Sequence, residues 1–328
     1  MEFSITTTVH LPTIKQLQYL VTLREHGHFG KAADACFVTQ STLSAGLREL
    51  ETLLGVVLVE RTRRVVRFTA LGEKVADKAV RVLREAEELA ELARAQGKPL
   101  HGELRMGVIP TIAPFLLPAM LPLLRSEWPS LKLYLREETS QAACEALHRG
   151  QLDCVLLALP FACGDVDFAP LFDDRLFIAF PHGEAPLGEA VDVDTIDENR
   201  MLMLEDGHCL KDHALAACNR PELRAHAAMM GTSLHTLVQM VDNGLGLTFI
   251  PSMAIEAGIL EGTRVDAKPL RSNRGFRRIA LIWRRSSARE NEFQMLATAL
   301  RRIMRELVPE LEAVDPAAKR HDTEAELA

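Results

Sequence analysis

The sequence predicts a small all-α head carrying a β-ribbon, one long helix, and a larger α/β domain built in two halves. Three observations carry this. Residues 11–68 show short helical periodicities closed by Gly27 and Gly55. Residues 69–97 hold one uninterrupted apolar seam. From residue 98 onward, strand-like and helix-like segments alternate, the pattern of an α/β domain with parallel sheets.

In the head, LPTIKQLQYLVTLREHG sets Ile14, Leu17, Leu20, Val21 and Leu23 on one side and ends at Gly27. GKAADACF follows, then TQSTLSAGLRELETLLG, closed by Gly55. VVLVERTRRVVRF alternates apolar and charged residues, as a hairpin of strands does. In the long helix, Thr69 is a candidate N-cap, Glu73 adds first-turn negative charge, and Gly97 with Pro99 supplies the stop. Its seam is Val75, Ala79, Val82, Ala86, Leu89 and Ala93, a heptad spacing suited to a partner helix or to packing on the chain's own core.

Beyond it, ELRMGVI, LKLYLRE, LDCVLLALP, RLFIAFP, RMLMLE, LGLTFIP and RRIALIWRR are strand candidates. Helices are expected over PFLLPAMLPLLRSEW, before HRGQ, and at residues 288–306. The resulting division is 1–10 extension, 11–68 head, 69–97 linker helix, 98–308 α/β domain and 309–328 disordered tail.

Composition excludes some classes. With 48% apolar and 25% charged residues the chain is ordinary for a globular protein. A net charge of −7 speaks against a generally basic nucleic-acid binder, yet residues 1–69 alone carry +2. That asymmetry points to a small DNA-facing module on an acidic body. The start, MEFSITTTVHLP, lacks the order of a signal peptide, and PFLLPAMLPLL is too short and Pro-rich to span a bilayer. A cytoplasmic protein with no membrane partner is therefore expected. Six cysteines are few for this length and imply no structural disulfide framework.

Two stretches carry chemistry. In GKAADACFVTQSTLSAGLRELE, small Ala32, Ala33 and Cys36 permit a close helix crossing, and a second helix begins at Gln40. Its first turns present Thr39, Gln40, Ser41 and Ser44 to base edges, with Arg48 reaching for a phosphate or guanine. Thr39 as a simple N-cap and Gln40 as a solvated residue are the bland alternatives. Arg61, Arg63, Arg64 and Arg67 on the ribbon suit backbone phosphates.

The second stretch is LEDGHCLKDHALAAC. It reads as a helix from Cys209 to Cys218, with Leu210, Ala214, Leu215 and Ala217 at helical intervals. Nine residues of helix rise roughly 13 Å, whereas a disulfide needs Cα atoms within about 7 Å. Cys209 in a helical first turn, with Lys211 nearby, favours thiolate, and Cys218 is a resolving thiol in the same segment. Inert core cysteines and a metal site of His208, Cys209, His213 and Cys218 compete with this redox pair. The spacing of those four matches no reliable zinc pattern.

Residues 13–97 resemble the N-terminal half of LysR-type transcriptional regulators through FGKAADACFVTQSTLS, LRELETLLGVVLVERT and FTALGE. Ser41 stands where many members have Pro, and Gly46 sits mid-helix. Residues 98–306 resemble the peroxide-sensing regulators of that family through GVIPTIAPFLLP, LDCVLLAL, PLFDD, LMLEDGHCLKD, TSLHTLVQMV and GLGLTFIP. The resemblance implies a winged helix-turn-helix, a dimerising linker helix, and two Rossmann-like subdomains of the periplasmic-binding-protein type.

It also implies roles: Cys209 reacts with hydrogen peroxide and Cys218 resolves. Thr111, Ser140 (or neighbouring Thr139), His208 and Arg277 line the peroxide pocket. Expected partners are double-stranded promoter DNA, hydrogen peroxide, a homodimer or homotetramer, RNA polymerase, and a reductant such as glutaredoxin or thioredoxin. No cofactor or metal is expected. A LysR-type regulator of a small-molecule effector and a thiol peroxidase are the competing functions.

Overall fold

Helix starts and stops follow local chemistry. The computed structural model describes residues 11–61, 66–94, 99–192, 195–218, 229–271 and 275–307. The expected N-terminal extension and C-terminal tail, with Arg63 and Arg64, lie outside them. α1 (Ile14–His26) opens on a capping box, in which Thr13 and Gln16 satisfy each other's backbone N–H, and closes on left-handed Gly27. α2 (Phe29–Ala35) is capped by His28, and α3 (Gln40–Leu54) by Thr39, whose hydroxyl accepts from Thr42 N.

The turn between α2 and α3 passes through Phe37 at φ 54°, its side chain 95% exposed. Leu20, Leu23, Leu43, Leu47, Leu50 and Leu58 fill the head's core with Ala32 and Ala33. Gly46 belongs to this packing: a Cβ there would meet the Tyr19 ring at 2.8 Å. The mid-helix glycine costs about 1 kcal/mol of propensity relative to Ala and lets α1 and α3 close. Ile14, expected on the buried side of α1, is instead 45% exposed, because the core begins one turn later at Leu17.

The ribbon is the antiparallel pair β1 (Val59–Arg61) and β2 (Val66–Phe68), with Val59 opposite Phe68 and Arg61 opposite Val66. α4 (Ala70–Arg94) starts where Thr69 Oγ1 accepts from Gly72 N at 2.9 Å. The seam of α4 divides. Ala79, with Val80 and Leu83, packs on Leu17 and Val21 of α1, whereas Val82 and Leu89 are 47% and 70% exposed.

The boundary between the chain's two compact units falls at Gly97 and Lys98. In the second unit, β3 (Gly102–Val108), α5 (Ala113–Glu127), β4 (Leu131–Glu137), α6 (Ser140–His148) and β5 (Cys154–Leu159) form a parallel trio in the order β4-β3-β5. β5 is buried along its whole length, as a strand covered on both faces must be.

β6 (Val166–Phe180) is far longer than the RLFIAFP segment expected. Its first part pairs antiparallel with β11 (Phe276–Arg284), and its last part pairs with β9 (Leu247–Pro251) and β10 (Asp266–Pro269). β6 thus carries the chain from the first subdomain into the second. There β7 (Met201–Leu204) lies parallel between β8 (Met229–Gly231) and β9. The expected α/β domain with parallel sheets is present, with antiparallel strands β6, β10 and β11 added to its parallel pairs, because a two-subdomain chain needs crossing strands. Pro170 and the Asp173–Asp174 pair hide that crossing strand from an apolar-run reading.

α7 (Cys209–Cys218) packs against β5, β7 and β11. α8 (Leu234–Asp242) and α9 (Ser252–Glu256) complete the second subdomain. α10 (Glu290–Leu307) returns to the first and buries Phe293, Leu296, Leu300 and Ile303.

Candidate functional site

The turn Glu205–His208 delivers Cys209 to the first position of α7. Gly207 takes φ +94°, a conformation open to glycine at no steric cost, and a Cβ added there would lie 3.6 Å from Thr139 Oγ1. Leu210, Ala214 and Leu215 anchor α7, and Cys209 is 1% exposed. Burial, the largest influence on its thiol, pushes the pKa up. The hydrogen bond and charge of His213, the charge of Arg277 and the hydrogen bond of Ser140 outweigh it, leaving the thiol below its ordinary value. Cys154 shows the contrast: equally buried, its thiol is pushed far up by burial and by the charge of Asp153, which Arg289 and Arg284 do not offset, and it stays inert.

His213 lies one helical turn beyond Cys209, on the same face of α7. Its Nε2–H donates to Pro160 O at 2.8 Å, since a carbonyl can only accept. Nδ1 is thereby left with the lone pair in the neutral ring. Nδ1 of His213 and Oγ of Ser140 are both buried. Each is directed to the Cys209 sulfur at a geometry looser than an ordinary hydrogen bond. The arrangement can pass the thiol proton to Nδ1 and hold a thiolate–imidazolium pair.

Arg277 on β11 is fully buried. Its Nε and Nη2 bind Asp174 Oδ2 at 3.0 and 2.9 Å, Nη1 donates to Thr111 Oγ1 at 2.6 Å, and Nη2 also reaches Thr111 O at 2.9 Å. Asp174 Oδ1 accepts from Ser252 Oγ and Met253 N, so the carboxylate is fixed by the start of α9. The guanidinium therefore presents a fixed positive charge to Cys209, and Thr111 joins the site through it.

Of the residues expected in a peroxide pocket, Ser140, Arg277 and Thr111 are thus linked to Cys209 directly or through one contact. Thr139 caps α6, its hydroxyl facing Ala142 N at 3.5 Å. His208 is 8% exposed, and burial pushes its imidazole below the ordinary value against the opposing charge of Glu205. Lys211, expected to favour the thiolate, is bound to Asp206 at 2.8 Å instead. Cys218 ends α7, and its side chain lies outside what is described. Among the described residues no group of three or more His, Cys, Asp or Glu side chains is disposed to hold a metal ion.

His213 and Asp174 escaped the redox reading of the sequence. The signal for His213 was its four-residue spacing from Cys209 on a helix. Nothing local could signal Asp174, whose partner is 103 residues away.

In the head, Thr39 caps α3, bonding Ser41 Oγ and Thr42 Oγ1 at 2.8 Å each. Gln40, Ser41 and Arg48 are exposed, and Ser44 is half-buried. Arg61 closes β1. Thr39 is therefore the cap that the bland reading foresaw, while the same turn presents a row of polar side chains.

Residues 14–73 match the bacterial regulatory helix-turn-helix of the lysR family, and residues 97–305 match the LysR substrate binding domain. The HTH-type transcriptional regulator EstR of Acinetobacter baylyi is 42% identical over 293 residues, covering 89% of this chain and 97% of that protein. The DNA-binding transcriptional dual regulator OxyR of Escherichia coli is 39% identical over 295 residues, 88% of this chain and 94% of its own. A full-length OxyR cysteine-to-aspartate variant from Pseudomonas aeruginosa superposes with a TM-score of 0.74 at 32% identity, covering 94% of this chain and all of that one. A peroxide-bound OxyR cysteine-to-serine variant from Corynebacterium glutamicum gives 0.61 at 32% identity, with 92% and 95% covered. A chain matched to the family in both its head and its α/β domain, over nearly the whole length of these relatives, is a LysR-type transcriptional regulator of the OxyR group.

Proposed function

We propose that this chain is a peroxide-sensing, DNA-binding transcriptional regulator of oxidative-stress genes, switched by a reversible Cys209–Cys218 disulfide. One observation carries the reading: a cysteine buried to 1% whose thiol is nonetheless held below its ordinary pKa by His213, Arg277 and Ser140. Burial alone raises a thiol, so only specific partners bring a buried one below its ordinary value.

The Cys209 thiolate attacks one peroxide oxygen and the O–O bond breaks. The departing hydroxide takes a proton and leaves as water, and Cys209 becomes a sulfenic acid. The Cys218 sulfur then displaces hydroxide from that acid, forming the disulfide and a second water. Imidazolium His213 is the nearest proton source, and the Ser140 hydroxyl and Arg277 are placed to stabilise the developing negative oxygen. Thr111 keeps Arg277 in place, and His208 closes the turn beside the cysteine.

An α7 that is helical from Cys209 to Cys218 holds the two Cα atoms roughly 13 Å apart, beyond the 7 Å or so that a disulfide tolerates. Closing the bond therefore unwinds α7, and two packings of one segment constitute a switch. Reversal takes two electrons from a dithiol such as glutaredoxin or thioredoxin.

The head reads promoter DNA through Gln40, Ser41, Ser44 and Arg48 on α3, with Thr39 fixing the helix start. Arg61, Arg63 and Arg64 grip phosphates from the wing. Exposed Val82 and Leu89 on α4 support pairing of two chains as a homodimer, and two dimers as a homotetramer. The regulator acts in the cytoplasm by changing how RNA polymerase engages the promoter. It turns over one peroxide per redox cycle rather than acting as a thiol peroxidase.

Peptide mapping after one equivalent of peroxide tests the switch. A Cys209–Cys218 link supports it, and its absence removes it. The 42% identity to a regulator whose name carries no peroxide keeps a small-molecule effector as the second reading. Saturable effector binding with no thiol chemistry at Cys209 would establish that reading.

A further inference from the structure

Away from Cys209, two other cysteines face each other. Cys144 on α6 and Cys163 in the loop after β5 are joined, with Cα atoms 5.5 Å apart, in the same structure in which Cys209 is a free thiol and α7 is helical. Both are buried, 6% and 3% exposed. Their neighbours connect them to the sensing site by two routes. Cys144 lies one turn along α6 from Ser140, whose hydroxyl faces the Cys209 sulfur. Cys163 lies three residues beyond Pro160, whose carbonyl orients His213. At the far end of α6, His148 Nε2 also bonds the Cys163 carbonyl.

We propose that Cys144 and Cys163 form a second thiol–disulfide couple, whose closure clamps α6 to the 160–165 loop and so holds Ser140 and His213 against Cys209. Two arguments favour a redox couple over a permanent staple. The cysteine count predicts no structural disulfide, and the 144–163 bond corrects that expectation. Yet a chain of this size has a core large enough to fold without a staple, and its few cysteines suit reversible chemistry better than a framework. And Cys163 sits between exposed Ala162 and exposed Gly164, so a small movement of the loop brings the sulfur to solvent.

With hydrogen peroxide as oxidant, one of the two sulfurs attacks the O–O bond, giving a sulfenic acid and water. The other displaces hydroxide, giving the disulfide and a second water. A dithiol reductant reopens the bond by two exchange steps, returning two electrons and two protons. The couple then sets responsiveness: closed, the Cys209 site is assembled; open, α6 and the loop are released and the site loosens.

The coupling to Cys209 rests on the proposed function, whereas the existence of the couple does not. Full-length protein is equilibrated across a series of dithiol-to-disulfide buffer ratios, alkylated and peptide-mapped. The expected result is a 144–163 linked peptide at ratios where Cys209 is still alkylated as a free thiol. Alkylation of both Cys144 and Cys163 at every ratio, and after peroxide, overturns the couple. Peroxide reactivity of Cys209 is then compared between wild type poised with the link closed, wild type with it open, and Cys144→Ser.

Opening is expected to slow Cys209 about fivefold or more, with Cys144→Ser matching the opened wild type. Equal rates in all three overturn the coupling. The two wild-type states keep the test valid should the variant misfold. No peroxide reaction at Cys209 in any state would instead sink the proposed function and leave the mapped couple standing.

Discussion

His213 and Cys209 are one helical turn apart on α7, and the Pro160 carbonyl 2.8 Å from Nε2 turns the other ring nitrogen to the sulfur. The cysteine's reactivity therefore depends, through His213, on a peptide carbonyl 53 residues from that histidine in sequence. A ring free to flip would offer Nδ1 only part of the time.

His213→Gln keeps a polar side chain but removes the proton acceptor. The Cys209 thiol is expected to rise toward its ordinary pKa. The peroxide reaction at neutral pH then slows, by about tenfold or more, because less of the thiol is ionised. The sign in pH is fixed by the direction of the shift. In wild type the rate holds as pH falls until the lowered thiol pKa is passed, whereas in the variant it declines from a higher pH. Stopped-flow rates across pH check this, and superimposable profiles would refute the role of His213.

Asp174 and Arg277 are both fully buried and ion-paired. Asp174→Asn leaves a buried guanidinium without its counter-charge, at an expected cost of about 3–5 kcal/mol. Replacing both partners, Asp174→Leu with Arg277→Met, is expected to recover much of that loss while abolishing fast reaction at Cys209. Denaturant unfolding of the three proteins decides the matter. A single variant as stable as wild type would show that the pair is not the constraint inferred.

Gly46→Ala improves helix propensity by about 1 kcal/mol, yet places a methyl 2.8 Å from the Tyr19 ring. Overpacking of this kind costs about 1–3 kcal/mol, so the head is expected to melt earlier. Pairing the change with Tyr19→Leu is expected to restore stability. Thermal unfolding of the full chain reads both results.

On DNA, Gln40→Ala is expected to relax discrimination at one base position by about 1–3 kcal/mol. Arg67→Ala weakens all sequences alike and lowers the salt dependence by about one counterion. Binding titrations at several salt concentrations separate the two. Footprinting with and without peroxide adds the switch itself: wild type is expected to shift its footprint, and Cys209→Ser to keep one.

Much of the head was legible residue by residue. Thr69 as a cap, Gly27 and Gly55 as helix ends, and the alternation of the ribbon are decided within a few residues, so sequence reading reached them. The helix from Cys209 to Cys218 was legible for the same reason. Gly46 read locally as a cost, and its use became visible only beside Tyr19. β6 was truncated because Pro170 and two aspartates interrupt its apolar run, although its partner strands supply the pairing that makes it a strand.

The sequence by itself determined the two-part architecture, the helix that separates Cys209 from Cys218, and the polar face of α3, because these depend on propensities and spacings along the chain. Family resemblance supplied Ser140 and Arg277; tertiary structure alone added His213 and Asp174 and decided how all four are held around the sulfur. Ser140, His213, Arg277 and the Asp174 that holds it come from four separate elements. The energy of a buried charge depends on what surrounds it in space, and that surrounding is assembled only when β6 and β11 bring the two subdomains together.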